Sequence, residues 1–399
     1  MDTGRKDRRE AEKAQLAANR TRGALALAWL LAAALLAAAL ASMLKPAREY
    51  SDTENRRLQT MPAFSVQALA DGSWFSDLQS ALSDQFVFRD RWIGVHYRLQ
   101  KLLGRREING VYLCQDHYLM EVPAAPERET LERTLTAMEG FAARHEGLRM
   151  NALIVPNASA VLKNLLPANA PAYDQAPQLT RIRDRLLAAG MSAPELLQAL
   201  RLHTSEQLYY RTDHHWTSTG AYYAFEESRE ALGIGEAAKN YAVYPIATDF
   251  EGTLSAKAGA HEVTDAVYVY SPQGVKNDYY VEYNGQAATR SCSVYVSESL
   301  QNKDKYTVFF GGNHPLVTIQ TTANNGKVLL IFKDSYANCF VQFLTPYYER
   351  IVMLDPRYYY DDAEALMERE GVTDVLFLYN FDTFSADTSL AYALSVYED

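Results

Sequence analysis

Residues 23–44 constrain this chain most: 22 consecutive residues, built mainly of Ala and Leu, carry no charge. Hydrocarbon offers no partner to backbone N–H and C=O groups, so a segment of this kind crosses a bilayer only as a helix that bonds internally. At about 1.5 Å per residue it would cover roughly 33 Å, enough to span the apolar layer. Seven basic residues precede it, namely Arg5, Lys6, Arg8, Arg9, Lys13, Arg20 and Arg22, and such a flank stays on the cytoplasmic side. The segment predicts a cytoplasmic basic tail over 1–22, a single-pass anchor over 23–44, and an extracytoplasmic chain after Lys45. A cleaved signal peptide is the competing reading, since the Ala-rich run at 37–41 suits a signal peptidase. The apolar stretch exceeds the usual length of about 7–15 residues, which favours a retained anchor in the cell membrane.

About 350 residues then remain, enough for one large α/β domain or for a domain with a smaller insertion. The whole chain holds 39 basic and 49 acidic residues, a formal charge of −10; without the first 22, which carry seven and four, the balance is 32 against 45, or −13. That balance argues against nucleic acid as a partner, and against broad electrostatic attraction to an anionic membrane surface. Cys114, Cys292 and Cys339 are odd in number and widely spaced, which fits neither a disulfide framework nor a zinc site, although one disulfide stays compatible. Cys339 lies in an apolar helical pattern and reads as a small core residue.

Residues 45–104 form a juxtamembrane segment rich in charged and aromatic residues, mostly helical over 79–103. A hairpin is expected over 109–120 with its turn near Asp116. A helix over 127–145, a buried strand over 150–155 ended by Pro156, and a helix over 179–189 closing at Gly190 follow. Strand and helix in alternation predict a parallel sheet with helices on its faces across 105–399. Residues 243–320 lack helical period and carry short β-rich runs (266–270, 278–283, 292–296 and 306–310), which predicts an antiparallel insertion beside the main sheet. Alternation then returns, with a buried strand over 327–332 and a helical stripe of Ala337, Phe340, Val341 and Leu344. A strand over 351–354, a helix capped by Asp361 or Asp362 and stopped by Gly371, and a strand over 374–379 complete it.

The chemistry concentrates in Thr212-Asp213-His214-His215-Trp216. If this stretch is extended, positions i and i+2 share a face, so Asp213 orients His215 while His214 points away. An oriented imidazole is half of a hydrolytic or acyl-transfer site. The nucleophile expected to complete it is Ser335, in Lys333-Asp334-Ser335-Tyr336-Ala337-Asn338 directly after the apolar run 328–332. Ligands of open parallel sheets sit beyond the carboxyl ends of strands, and the Ser335 amide would be a helix-start donor available to an oxyanion. Each residue also has a plainer role. Ser335 or Asp334 could simply cap the helix. Asp213 and His214 could bind a divalent cation, but the further carboxylate motifs of such enzymes are missing from the first 200 residues, so no metal is expected. Trp216 reads as a packing residue beneath the histidine, with Thr217 or Ser218 capping a helix that runs to about Leu232. Tyr358 to Tyr360 could stack on sugars, and an ordinary surface or core role is the simpler reading. His314, in Gly311-Gly312-Asn313-His314-Pro315, lacks an Asp two residues away and ranks behind His215.

The three motifs in this order, with Asp355-Pro356-Arg357-Tyr358 downstream, resemble the DHHW protein family, which is similar to the SGNH-like domains of the AlgJ and AlgX type of alginate O-acetyltransferase. The resemblance runs from about residue 54 to the C-terminus. It implies an SGNH-hydrolase-like α/β fold, a parallel sheet flanked by helices, with the β-rich insertion. In the alginate enzymes the triad is an Asp-x-His pair followed later by a Ser, so the resemblance implies Asp213, His215 and Ser335, in the order opposite to ordinary SGNH esterases. DHHW members place His at the middle position, where the alginate enzymes generally do not.

The activity so implied is O-acetylation of a cell-surface or exported polysaccharide, with no cofactor. Ser335 yields its proton to His215, takes an acetyl group from a donor, and passes it to a glycan hydroxyl. The Ser335 amide would hold the tetrahedral anions, with Asn313 and the Gly312 amide as candidate second donors. Acetyl-coenzyme A is cytoplasmic, so an outward-facing transferase implies a membrane-bound O-acyltransferase partner as the source of acetyl. A carbohydrate acetyl esterase with the same triad, and a non-catalytic glycan-binding or assembly protein, are the alternatives.

Overall fold

The computed structural model describes residues 3–51, 53–54, 56–235, 240–284 and 286–395. The chain divides into two compact units, Met1–His96 and Tyr97–Asp399.

In the first unit, α1 (Thr3–Leu44) is one continuous helix. Within it Ala18–Leu44 is long and apolar enough to cross a membrane; an 18-residue window of this segment reaches a mean hydropathy of 2.4 and is not buried. The helical stretch expected over 79–103 is two helices, α2 (Ser73–Asp84) and α3 (Arg89–Leu102), the second leading into the next unit. They part at an elbow where Phe88 takes a left-handed φ of 56°. Ion pairs hold the elbow's flanks: Arg56 binds both oxygens of Asp84 (2.9 and 2.6 Å), and Arg89 binds both of Glu54 (2.8 and 3.0 Å).

Early in the second unit a hairpin of β1 (Val111–Leu113) and β2 (Leu119–Glu121) turns through left-handed Asp116 and His117, and the preceding Glu107–Ile108 pairs with β1 to complete a three-stranded sheet. Then come α4 (Arg128–Arg144), β3 (Arg149–Val155), α5 (Ala176–Ala188) and α6 (Ser218–Ser228). The ribbon of β4 (Tyr241–Phe250) and β5 (Asp265–Pro272) encloses a short α7 (Thr253–Ala258). After it follow β6 (Tyr279–Tyr283), β7 (Gln286–Ser291), β8 (Leu316–Thr321), β9 (Val328–Lys333), α8 (Tyr336–Phe340), β10 (Arg350–Leu354), α9 (Ala363–Glu370) and β11 (Asp374–Asn380). Asp362 caps α9 through the amides of Glu364 and Ala365, and left-handed Gly371 ends it.

The main sheet has seven strands in the order β7-β6-β8-β10-β9-β11-β3. Only β10, β9, β11 and β3 are parallel; β8, β6 and β7 extend the sheet antiparallel from β10. The expected parallel sheet and antiparallel β-rich segment are both present, but half of that segment is the sheet's own continuation and not an insertion beside it. Six residues separate β8 from β9, too few for a parallel crossover, which needs a dozen or more. The β4–β5 ribbon alone stands apart as a separate sheet from this region. The runs at 292–296 and 306–310 meet only through a single Tyr295–Phe309 bridge, and Lys305–Val308 is a 3-10 turn. Their apolar side chains serve burial rather than strand pairing.

Alternation along the parallel strands builds two cores. Leu329, Ile331, Leu376 and Leu378 face one layer, with Phe225 of α6 and Phe340 of α8. Leu330, Phe332, Val375 and Phe377 face the other, with Leu135 of α4 and Leu186 of α5. Each large side chain so buried contributes about 1.5–3 kcal/mol. Between these layers the carboxyl ends of β9, β10 and β11 are held rigidly at one edge of the sheet, where the polar motifs emerge.

Candidate active site

At the end of β9, Asp334 performs the capping. Its Oδ1 accepts the Tyr336 N–H at 2.9 Å and its Oδ2 accepts the Asn380 N–H at the end of β11 at 2.8 Å. Ser335 occupies the cap position of α8 without making a side-chain cap. Its hydroxyl is instead directed at His215, with Oγ 2.7 Å from Nε2.

The Asp213 to His215 stretch is a tight bend, not a strand, flanked by a single bridge between Tyr209 and Trp216. Asp213 Oδ1 accepts both the His215 backbone N–H (2.9 Å) and ring Nδ1 (2.5 Å). The carboxylate thus folds its own chain around itself, and strand alternation plays no part. Nor does His214 point away as expected. Its Nδ1 lies 2.8 Å from Thr253 Oγ1, and its ring centroid is 3.9 Å from that of His215. The second Asp213 oxygen accepts the Thr253 amide (2.8 Å) and hydroxyl (2.9 Å) at the start of α7. Because a carboxylate only accepts, the His215 proton is assigned to Nδ1, leaving the Nε2 lone pair for the serine hydroxyl.

Aromatic residues lock this geometry. The Tyr306 ring stacks on His215 at 3.8 Å and 13°, and its hydroxyl donates to Ser335 O at 2.8 Å. Trp216 is fully buried, as its packing role predicts, and its Nε1–H donates to Tyr336 O at 3.0 Å. Tyr336 returns the tie by donating to His214 O at 2.5 Å. Thr217 caps α6 by accepting the Gly220 N–H. Gly252 is obligatory for a different reason: a Cβ there would lie 2.7 Å from Asp213 Cα.

Burial, and next the neighbouring His214, push His215 down to about 4, against the opposing pull of Asp213. Burial would raise the Asp213 carboxyl, yet the two histidine rings and the Thr253 amide outweigh it and hold the group below the usual carboxylate range. The ligand atoms of Asp213, His214 and His215 lie within 4.8 Å of one another. Both carboxylate oxygens are already occupied by protein donors, an arrangement that holds an imidazole rather than a cation.

Beside Ser335, buried Lys333 contacts Asn313 Oδ1 (3.1 Å), Asn338 Oδ1 (2.9 Å) and Asp355 Oδ2 (3.5 Å). Asp355 also receives a bidentate pair from Arg357 (2.8 and 2.7 Å). An ammonium only donates, so it fixes the oxygen ends of both asparagine amides and turns the Asn313 NH2 group away from itself. Of the two expected oxyanion donors, the Gly312 amide is already engaged, donating to Phe309 O at 3.3 Å. His314 contacts Phe310 O at 2.9 Å, bracing a loop in which Phe310, Gly311 and Gly312 all have positive φ. Tyr358 and Tyr360 are exposed and Cys339 is buried; all three cysteines are free. Thr253 and Tyr306 are not legible in the sequence, since neither sits in a motif and each acts through a fold contact.

Residues 112–293 match the family described as SGNH hydrolase-like domain, acetyltransferase AlgX. The chain is similar to the AlgX-type SGNH-like domains. That match includes Asp213 and His215 and ends before Ser335. Two curated relatives are the probable alginate O-acetylases AlgJ of Pseudomonas syringae pv. tomato, 26% identical over 185 residues, and of Pseudomonas fluorescens, 28% identical over 190. In each case the alignment covers 44% of this chain and 47% of the relative, so the chain spans about half the length of the curated relatives it matches. Among solved structures, a DHHW family protein from Eubacterium siraeum superimposes with a TM-score of 0.63 at 24% identity, covering 73% of this chain and 98% of that one. Bacillus cereus PatB1, solved with a sulfonyl adduct, gives 0.57 at 19%, covering 70% and 98%. The fold is therefore SGNH-like, with a mixed sheet.

Proposed function

We propose that this protein is a membrane-anchored, extracytoplasmic serine O-acyltransferase that acetylates a cell-surface or exported polysaccharide. The observation that carries this reading is the continuous contact from Ser335 Oγ to His215 Nε2 (2.7 Å) and from His215 Nδ1 to Asp213 (2.5 Å). The names of the curated relatives supply the acyl group and the class of acceptor.

In the first half-reaction Ser335 Oγ attacks the donor's acetyl carbonyl as its proton passes to His215 Nε2, and Asp213 stabilises the imidazolium. The Ser335 amide and the Asn313 NH2 group donate to the tetrahedral oxyanion. Collapse breaks the bond to the donor's leaving group, which takes the proton from His215, and leaves acetyl-Ser335. In the second half-reaction a glycan hydroxyl gives its proton to His215 and attacks the acyl carbon, which releases the ester and restores the Ser335 hydroxyl. The acetyl donor on the outer face is a membrane-bound O-acyltransferase, since acetyl-coenzyme A is confined to the cytoplasm.

The test is mass spectrometry after phenylmethylsulfonyl fluoride treatment. Labelling on Ser335 that His215→Ala abolishes is the expected result, and a protein that stays unlabelled at Ser335 refutes the nucleophile. Incubation with acetylated and unacetylated polymer then reads the direction of transfer, because an esterase would only remove acetyl groups.

A further inference from the structure

The outer end of α1 is stapled to the elbow between α2 and α3. Ser42 Oγ accepts the Val87 N–H at 2.9 Å, and Lys45 Nζ donates to Phe86 O at 3.4 Å. Gln85 bonds both the N–H and the C=O of Arg48 (3.0 and 2.8 Å), and the Arg48 guanidinium pairs with Asp90 at 2.9 Å. Ser42 lies two residues from Leu44, where the apolar segment Ala18–Leu44 ends. Whatever medium surrounds the end of that segment therefore also surrounds the elbow.

The elbow presents apolar side chains at that level. Phe88 is 63% exposed, Trp92 56% and Val95 51%; Trp92 and Val95, three residues apart on α3, share a helix face, and Phe88 immediately precedes the helix. Phe88 holds a left-handed φ, a region that bulky residues avoid, with its ring outward and the Arg91 guanidinium over it at 5.3 Å. Aromatic rings beside long cationic side chains, level with the end of a spanning helix, match the composition of a membrane–water interface.

We propose that Phe88, Trp92 and Val95 insert into the outer headgroup–acyl boundary of the bilayer that α1 crosses, so that the elbow rests on the membrane. The inference depends on the anchor reading given above. The occupant is lipid and not a protein partner, because hydrogen bonds fix this face at the depth where the apolar segment emerges. The attraction is apolar, so neutral lipid suffices and the chain's net negative charge does not oppose it.

The test uses the full chain reconstituted in phosphatidylcholine vesicles whose acyl chains carry bromine either near the headgroup or near the chain end. Tryptophan emission is recorded for wild type, Trp92→Phe, Trp29→Phe and Phe88→Trp. Expected results are loss of most of the shallow quenching in Trp92→Phe, added shallow quenching in Phe88→Trp, and loss of deep quenching in Trp29→Phe. If Trp29 is quenched by deep bromines while neither Trp92 nor the indole introduced by Phe88→Trp responds to shallow ones, the elbow is not on the bilayer and the proposal is wrong. If Trp29 is not quenched either, the anchor reading fails and takes this proposal with it.

Discussion

Ser335 is expected to remain a competent nucleophile well into acid. His215 is almost fully enclosed, with Tyr306 stacked on the ring at 3.8 Å and the His214 ring at 3.9 Å, so an imidazolium there has little access to water. The ring is pushed down from the ordinary 6.5 to about 4, a difference of roughly 3 kcal/mol in favour of the neutral base. The assay is the second-order rate of Ser335 sulfonylation, read by intact mass between about pH 3 and 8. The rate should be flat through neutrality and half-maximal near 4, and at pH 5.5 about tenfold above that of a histidine of ordinary basicity. His214→Ala removes a neighbour and admits water, both of which raise the pH of the acid limb. A half-maximum at 6.5 in the intact protein would refute the argument that enclosure sets the basicity. Stability should follow with a definite sign. Between 6.5 and about 4 the unfolded chain binds a proton that the folded ring refuses, so the protein loses up to about 3 kcal/mol as pH falls through that window.

Other substitutions separate the roles around Ser335. Ser335→Ala should abolish labelling at a stability cost of about 1 kcal/mol, that of one hydrogen bond, whereas Asp334→Ala, which frees two backbone donors, should lower stability by about 2 kcal/mol or more in denaturant melts. Asp213→Asn cannot satisfy the donors of both His215 and Thr253, and should reduce the labelling rate by roughly 10³- to 10⁴-fold. Gly252→Ala sets a Cβ against Asp213; a cost of about 1–3 kcal/mol in stability is expected together with slowed labelling. Tyr306→Phe keeps the ring stack and loses the donor to Ser335 O, so calorimetry should find it about 1 kcal/mol less stable.

The order of legibility follows the range of the forces involved. Period and punctuation locate the strands and helices after residue 327, because Asp362, Gly371 and the alternating apolar residues act within a few positions of themselves. The place of Ser335 between strand and helix is legible because a strand end followed at once by a helix is a local event. The antiparallel half of the sheet is not, since a strand's own sequence is nearly blind to the direction of its neighbour. The clue lies in the short β8–β9 connection. At the site, the sequence pairs Asp213 with His215 for the wrong geometric reason: a spacing of two suits an extended chain, while the carboxylate curls the backbone. Thr253 and Tyr306 lie 40 and 91 positions from Asp213 and His215, and only folding reveals what they touch.

Because Asp334 caps the helix and Ser335 does not, the proposed reactivity and the structural integrity fall on adjacent but separate residues. A descendant that exchanged the hydroxymethyl side chain of Ser335 for the methyl of alanine would keep the helix cap intact. On the proposed function, one substitution would turn a catalyst into a silent scaffold, and its reversal would restore it.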